Sequence, residues 1–348
     1  MKVTPVKGFG NLGVSITNIK YPFDLSEIKE IKKLLITELV VVLPKINYTN
    51  KQFYELTAQL GKVSTFGLQA GIKEPIGWAG YIENGKTILP GMWKVTAQKN
   101  KEGRYEGMPS GISKRLNWHN NETDGYTEAA NFVALQGVQH VSGSITQVCQ
   151  MIDRFALEPK ENQELLKKLN VYWGVVPGDE GIMPDLPKPG EPGFDNIHGT
   201  GEIDEMSTKE DMNKYHSAIN LNIKQQPLVQ FAPNGQLGIR FTPSQILDIS
   251  PEISDGTFKI LKDTKHKDML KDNYKPSSQW VELKERIMQE YATEKYIYDH
   301  VWEDGDIFYM DQITCMHRRT DMNHKIDGID IPRLEQRLLN RLEVTIWK

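Results

Sequence analysis

Cysteine is nearly absent: Cys149 and Cys315 are the only two in 348 residues. Two thiols so far apart exclude a disulfide-stapled scaffold and suit a reducing compartment, where buried, inert thiols are the expected state. Long apolar runs are missing as well. None approaches the roughly 18 residues that a membrane-spanning helix needs. The opening Met1-Lys2-Val3-Thr4-Pro5 lacks the apolar stretch of a secretory signal. A cytoplasmic protein with no membrane partner is expected. There is no excess of positive charge: 42 Lys and Arg stand against 46 Asp and Glu, a net charge of -4. That balance gives no basic field for nucleic acid. The short basic clusters Lys265-His266-Lys267 and His317-Arg318-Arg319 read as solvated surface or site residues, not as a binding tract. No internal repeat and no clear linker interrupts the chain.

What is present is an ordinary globular composition, 39% hydrophobic and 25% charged, long enough for one large core. Asp24 can cap a helix running to Glu38, with Leu25, Ile28, Ile31 and Leu35 at helical spacing. Val40 to Leu43 is a short apolar run suited to a buried strand. Asn50 is the expected cap of a second helix, with Phe53, Leu56 and Leu60 on its apolar face and Gly61 at its end. Residues 64–92 are glycine-rich and read as loop with short strands, followed by a strand at Trp93 to Thr96. Lys99 to Ser113 reads as a polar loop leading into the first histidine segment.

Further on, Asn131 to Val138 and Ser144 to Met151 are strand-like, joined by a turn around His140 and Gly143. A helix is expected from Lys160 to Leu169 and a strand from Val171 to Val176. Pro177 to His198 is rich in proline and glycine, and reads either as a loop over a site or as a surface excursion. Gln226 to Phe231 and Leu237 to Phe241 flank Pro233-Asn234-Gly235, a strong hairpin signal. A helix near Ser278 to Tyr291 and strands at Gly305 to Met310 and Leu342 to Trp347 complete the reading. Many short strands with few, segregated helices favour a mainly β, α+β core with helices packed outside, and a jelly roll satisfies that pattern.

One stretch carries chemistry: Leu116-Asn117-Trp118-His119-Asn120-Asn121-Glu122-Thr123-Asp124, with Met316-His317-Arg318-Arg319 as its distant partner. A histidine flanked by carboxamides and carboxylates, with a second histidine far downstream, suggests a non-haem iron site. There, two histidines and a carboxylate hold one face of the metal and leave the other open.

In order and spacing the chain resembles the taurine dioxygenase family of iron(II)- and 2-oxoglutarate-dependent oxygenases. The resemblance rests on Gly13-Val14-Ser15-Ile16 with the helix and strand after it, and on Ala58-Gln59-Leu60-Gly61-Lys62-Val63. It continues through Trp118-His119-x-Asn121, Gly143-Ser144-Ile145-Thr146, Gln226-Pro227-Leu228-Val229 and the Asn234-Gly235 hairpin. It closes with Gly305-Asp306-Ile307-Phe308-Tyr309-Met310-Asp311 leading to His317, and with Gln336-Arg337-Leu338-Leu339-Asn340-Arg341.

The resemblance implies a double-stranded β-helix, a jelly roll with flanking helices, as a single domain over 1–348. Residues 1–63 would form a helix-strand-helix unit, and 90–348 the jelly-roll core with insertions at about 177–216 and 250–300. It implies Fe(II) held by His119, Asn121 and His317, and 2-oxoglutarate as cosubstrate with its far carboxylate on Thr146 and Arg337. An arginine suits that role because its planar fork meets a carboxylate with two parallel hydrogen bonds. Arg341, four residues on and on the same face of a strand, would hold an anionic group of the substrate or pair within the fold. The implied reaction hydroxylates an unactivated C–H bond of a small molecule, anionic or amino-acid-like, with release of succinate and carbon dioxide. Sulfonate recognition in the family uses an N-terminal-region histidine, and Ser64 to Trp78 has none, which argues against taurine. Family members are often dimers or larger, which implies a homo-oligomer.

Asn121 departs from the family, which has Asp or Glu there. Four accounts stay open. Asn121 ligates through its oxygen; Glu122 or Asp124 restores a carboxylate; the site is a halogenase-type variant, although related halogenases open space for chloride with a small residue and Asn does not; or catalysis is lost, in a non-catalytic ligand-binding relative or through a deliberate inactivating change.

Overall fold

A computed structural model describes residues 1–64, 80–83, 86–96, 116–120, 130–174, 223–243, 245–261, 266, 268–270, 274–320, 325–326, 329–330 and 337–346. Four expectations fall outside them: the loop at Lys99 to Ser113, the residues Asn121, Glu122 and Asp124, the excursion at Pro177 to His198 and its insertion to 216.

The first helix spans Leu25–Glu38, and the Asp24 carboxylate accepts from the Ser26 N–H at 2.7 Å as its cap. It buries Ile28, Ile31, Leu34 and Leu35, whereas Leu25 is 72% exposed and lies off the apolar face. The second helix spans Asn50–Leu60, and its cap is Thr49, one residue before the expected Asn50. Thr49 Oγ1 accepts from Gln52 N–H at 3.2 Å, and Gln52 Oε1 accepts from Thr49 N–H at 2.9 Å. That reciprocal pair satisfies two orphan donors at once, which a lone Asn50 could not do.

Both helices lie on one face of a large sheet. Its strands follow the order Lys2–Pro5, Val14–Thr17, Val40–Leu43, Ile307–Asp311, Phe132–Gln139, Leu338–Thr345, Lys62–Val63, with Trp93–Thr96 also paired to Leu338–Thr345. Strand side chains alternate between faces. Val41, Leu43, Ala134, Ile307, Tyr309, Leu342 and Val344 therefore pack with Ile31, Leu35, Phe53 and Leu56 under the helices. Val40, Val42, Val133, Phe308, Met310 and Leu339 turn to the opposite face. The last strand begins at Leu338, four residues earlier than expected, and so includes Arg341 and directly follows Arg337.

A second sheet, in the order Ile297–Val301, Ile145–Gln150, Cys315–Arg319, Leu116–His119, is antiparallel throughout. Its Val148 and Cys315 join the inner cluster of the large sheet. Its Cys149, Met316 and Trp118 turn outward into a cluster with Trp173, Phe241, Trp280 and Tyr291. Two sheets thus face each other across a shared core, the jelly-roll arrangement. Both cysteines are free and fully enclosed, and burial raises both thiols well above their usual range.

A third sheet, Ile246–Ile253, Leu169–Trp173, Ile223–Pro227, Lys259–Leu261, with the helix Ser278–Glu290 packs behind that outward cluster. The apolar run from Gln226 to Phe231 divides between two sheets. Gln226 and Pro227 end a strand paired with Leu169–Trp173, and the hairpin starts at Val229, paired to Leu237–Ile239. The break falls at Leu228, whose N–H bonds to Leu169 O and whose carbonyl accepts from Arg240 N–H.

His300 illustrates the cost of polar burial. It lies opposite Thr146 in the ladder, and its ring stacks on Phe308 at 4.7 Å. Nε2 stands 3.4 Å from the Asp306 carboxylate, yet no hydrogen bond reaches it. Burial pushes the imidazole down to about 3, so we treat it as a neutral ring and not as half of an ion pair. An unfolded histidine titrates near 6.5. Below that value the unfolded chain takes a proton that the folded one refuses. Stability is therefore complete above about pH 6.5 and falls as pH drops toward 3, by up to ~1.4 kcal/mol per unit. Urea titrations between pH 7 and 4 should show a shallower decline for His300→Gln than for the wild type, and equal slopes would refute a neutral His300.

Candidate functional site

His119 and His317 come from strands nearly two hundred residues apart in the chain, yet they are direct partners in the ladder. Partners in an antiparallel pair project to the same face, with Cβ atoms about 5 Å apart. Their rings lie 4.2 Å apart at 50°, and the residues are 7% and 6% exposed. On either side of each histidine the chain turns outward. Trp118 enters the core behind the sheet, and the Arg318 guanidinium lies 4.4 Å over its ring. Nδ1 of His317 is buried with no hydrogen-bond partner. Burial, then His119, then the positive charge of Arg341 hold His317 well below the usual histidine range. A neutral imidazole is what a metal ligand must be.

Asn120 fixes this geometry. Its Nδ2 donates to Gln312 O at 2.6 Å and Cys315 O at 3.2 Å. Its Oδ1 accepts from Thr242 Oγ1 at 2.7 Å, and its backbone carbonyl accepts from Gln245 Nε2 at 3.2 Å. The carboxamide is 2% exposed and fully occupied, so it is a clamp and not a ligand. Asn121, the third expected ligand, follows outside the described residues. Among the described residues no group of three or more His, Cys, Asp or Glu is arranged to hold a metal; the two imidazoles are the donors in place.

Thr146 faces the same interior. Its Oγ1 accepts from Trp302 Nε1 at 2.8 Å, which leaves its own hydrogen to donate elsewhere. Arg337 precedes the strand Leu338–Thr345 and is tied down by Thr96 Oγ1, which donates to its carbonyl at 2.6 Å. The side chain is 8% exposed, and its Nε is buried without a partner. Burial, and then the charge of Arg319, push it down to about 9. Arg341 shares that strand face and is committed on two sides. The Glu343 carboxylate bonds to its guanidinium, which lies 4.7 Å over the Trp93 ring.

Sequence reasoning missed three of these parts. Asn120 was hidden by its neighbour Asn121, and Glu343 by the apolar residues around it. Arg319 was read with the basic cluster. Strand period two was the available signal for the last two, since each stands two residues from a residue already singled out.

Comparison with known proteins adds three findings. The family model described as taurine catabolism dioxygenase TauD, TfdA family matches residues 2–339. Among solved structures, a taurine dioxygenase from Burkholderia xenovorans is 15% identical with a TM-score of 0.60, covering 100% of this chain and 89% of its own. AAD-2, solved in complex with Mn(II) and N-oxalylglycine, is 13% identical with a TM-score of 0.54, covering 100% of this chain and 99% of its own. At such identities the likeness speaks for the fold. A search of curated proteins finds no match.

The clamp is testable. Asn120→Ala strips partners from two buried carbonyls and one buried hydroxyl, and should cost roughly 2–4 kcal/mol of unfolding free energy. Thr242→Val removes a single bond and should cost about 1 kcal/mol. Urea denaturation compares them; equal, negligible losses would mean that Asn120 does not hold the strand.

Proposed function

The chain belongs to the TauD, TfdA family of taurine catabolism dioxygenases, and from that premise we propose that it is an iron(II)- and 2-oxoglutarate-dependent dioxygenase acting on a small molecule. The observation that carries the reading is the buried pair of facing imidazoles, His119 and His317. An unpartnered Nδ1 on a neutral ring is a ligand position waiting for a Lewis acid. The donor set fits iron(II): two imidazoles with Asn121, whose carboxamide oxygen brings no negative charge. When bound, iron(II) and 2-oxoglutarate supply dioxygen activation, with succinate and carbon dioxide released and an unactivated C–H bond hydroxylated.

The chain's own residues bind, orient and exclude. Thr146, its acceptor side filled by Trp302, offers its hydroxyl hydrogen to the far carboxylate of the 2-oxo acid. Arg337 offers a desolvated fork whose charge no carboxylate among the described residues balances. Asn120 and the outward-packed Trp118 hold His119 still while substrate comes and goes.

Arg341 is the proposed contact for a polar group on the substrate. Its nearness to the metal position is felt in the lowered His317. Because Glu343 already takes part of its fork, a substrate bearing both signs, as amino acids do, fits the Arg341–Glu343 pair better than a plain anion. The absence of histidine from Ser64 to Trp78 argues against taurine. A non-catalytic ligand-binding relative is the second reading, and the one feature favouring it is Asn121 itself.

Anaerobic titration with iron(II) and 2-oxoglutarate separates the two. A visible charge-transfer band of the chelate is expected, together with succinate formation under air. No band at high iron would overturn the dioxygenase reading. Asn121→Asp should tighten iron(II) binding by ~10-fold or more, the scale of one added charge-assisted contact. Unchanged affinity would mean that Asn121 is not a ligand.

A further inference from the structure

The reading above gives the far carboxylate one guanidinium and one hydroxyl. The second sheet brings another guanidinium to the same place. Arg319 lies two residues past His317 on one strand and therefore on the same face. In the ladder it stands directly opposite Thr146. It is 5% exposed, and Arg337 is 8% exposed on the facing sheet. Resting on the cosubstrate reading, we infer that Arg319 closes a two-guanidinium clamp with Arg337 around the far carboxylate of the 2-oxo acid, with Thr146 as its third donor. Arg319 is then a positioning residue that makes the second carboxylate a requirement.

Position and charge assign the role. Two guanidinium groups brought out of water near each other repel, and burial removes the screening that would soften this. Burial first, and then the nearby charge of Arg319, lower the proton affinity of Arg337. Arg319 has further contacts of its own, and an arginine fork has donors enough to keep such contacts and still reach a ligand. A carboxylate seated between the two forks would turn repulsion into attraction on both sides. Its two oxygens have room for about four donors, and two forks with one hydroxyl supply them. A 2-oxo acid lacking the far carboxylate would offer nothing to either fork.

Calorimetry on the full-length protein loaded with Mn(II) tests this with two probes, 2-oxoglutarate and pyruvate, which keeps the 2-oxo acid end and lacks the far carboxylate. Arg319→Gln should weaken 2-oxoglutarate by ~10–100-fold and leave pyruvate within about twofold. Arg319→Lys should recover part of the loss, since it restores charge without the fork. 2-Oxoglutarate should raise the melting temperature of Arg319→Gln less than that of the wild type. Three results would overturn the clamp: 2-oxoglutarate binding unchanged in Arg319→Gln, both probes weakened alike, or a lower melting temperature with the ligand-induced shift intact. If the wild type itself binds neither probe, the cosubstrate reading falls and takes the clamp with it, a pattern distinct from those three.

Discussion

The ladder contact between His317 and His119 is the constraint on which the site depends. Among the described side chains of those two strands, His119, His317 and Arg319 turn inward, and Trp118 and Met316 turn outward into an apolar cluster. Cys315, His317 and Arg319 face the large sheet, while Met316 enters the cluster behind with Trp118. A slip of one residue would reverse this, turning both imidazoles out and driving Trp118 and Met316 into the site. The outer cluster resists such a slip through lost burial of large side chains, each worth about 1.5–3 kcal/mol. Asn120 resists it through hydrogen bonds that fit one register only. Packing and polar specificity thus point to the same alignment.

The interior between the sheets is a poor design for stability. Arg319, Arg337 and Arg341 each bring a guanidinium to it, and Glu343 balances one of them. Replacing buried charges with apolar groups of like volume is often neutral or stabilising. Buried guanidinium groups gathered beside a histidine pair fit the proposed role of this interior in receiving a negatively charged ligand. The face of the large sheet under the helices shows the contrast. There the fold is held by Ile31, Leu35, Phe53, Leu56, Tyr309 and Leu342. The helical unit carries the stability that the inner face gives up.

Much of the frame was legible in the chain. The first two helices were fixed by their apolar spacing and caps, with errors at Leu25, which lies off the apolar face, and at Asn50, because Thr49 and Gln52 cap reciprocally. The buried strand Val40–Leu43 and the Asn234-Gly235 hairpin followed from composition alone. Of the third sheet, the strands around Val171 and Gln226 were legible in part, but Ile246–Ile253 was not, because it contains Asp248, Pro251 and Glu252, which break the apolar alternation. Asp248 serves instead as an acceptor for Tyr274 and Ser277. Family resemblance singled out His119 and His317, but nothing in the sequence states that they meet. Arg319 was lost because a run of three basic residues looks like surface; only the strand turns alternate members of that run to opposite faces, Arg318 onto Trp118 and Arg319 inward.

On the proposed reading, Asn121 changes the charge balance of the whole site. Two neutral imidazoles and a carboxamide would leave a dication uncompensated by its ligands, in an interior that already holds the guanidinium groups of Arg319, Arg337 and Arg341. Metal alone would bind such a site poorly, since like charges in a desolvated space repel strongly. A 2-oxo dicarboxylic acid brings two negative charges, one to the metal side and one to Arg337. The chain's residues therefore favour metal and diacid together far more than either alone, a coupling free energy that each partner must feel equally. Where a carboxylate would hold the metal in readiness, Asn121 as a ligand would leave the diacid to supply the missing negative charge, so on the proposed reading the substitution that loosens the metal would also tie its retention to the diacid.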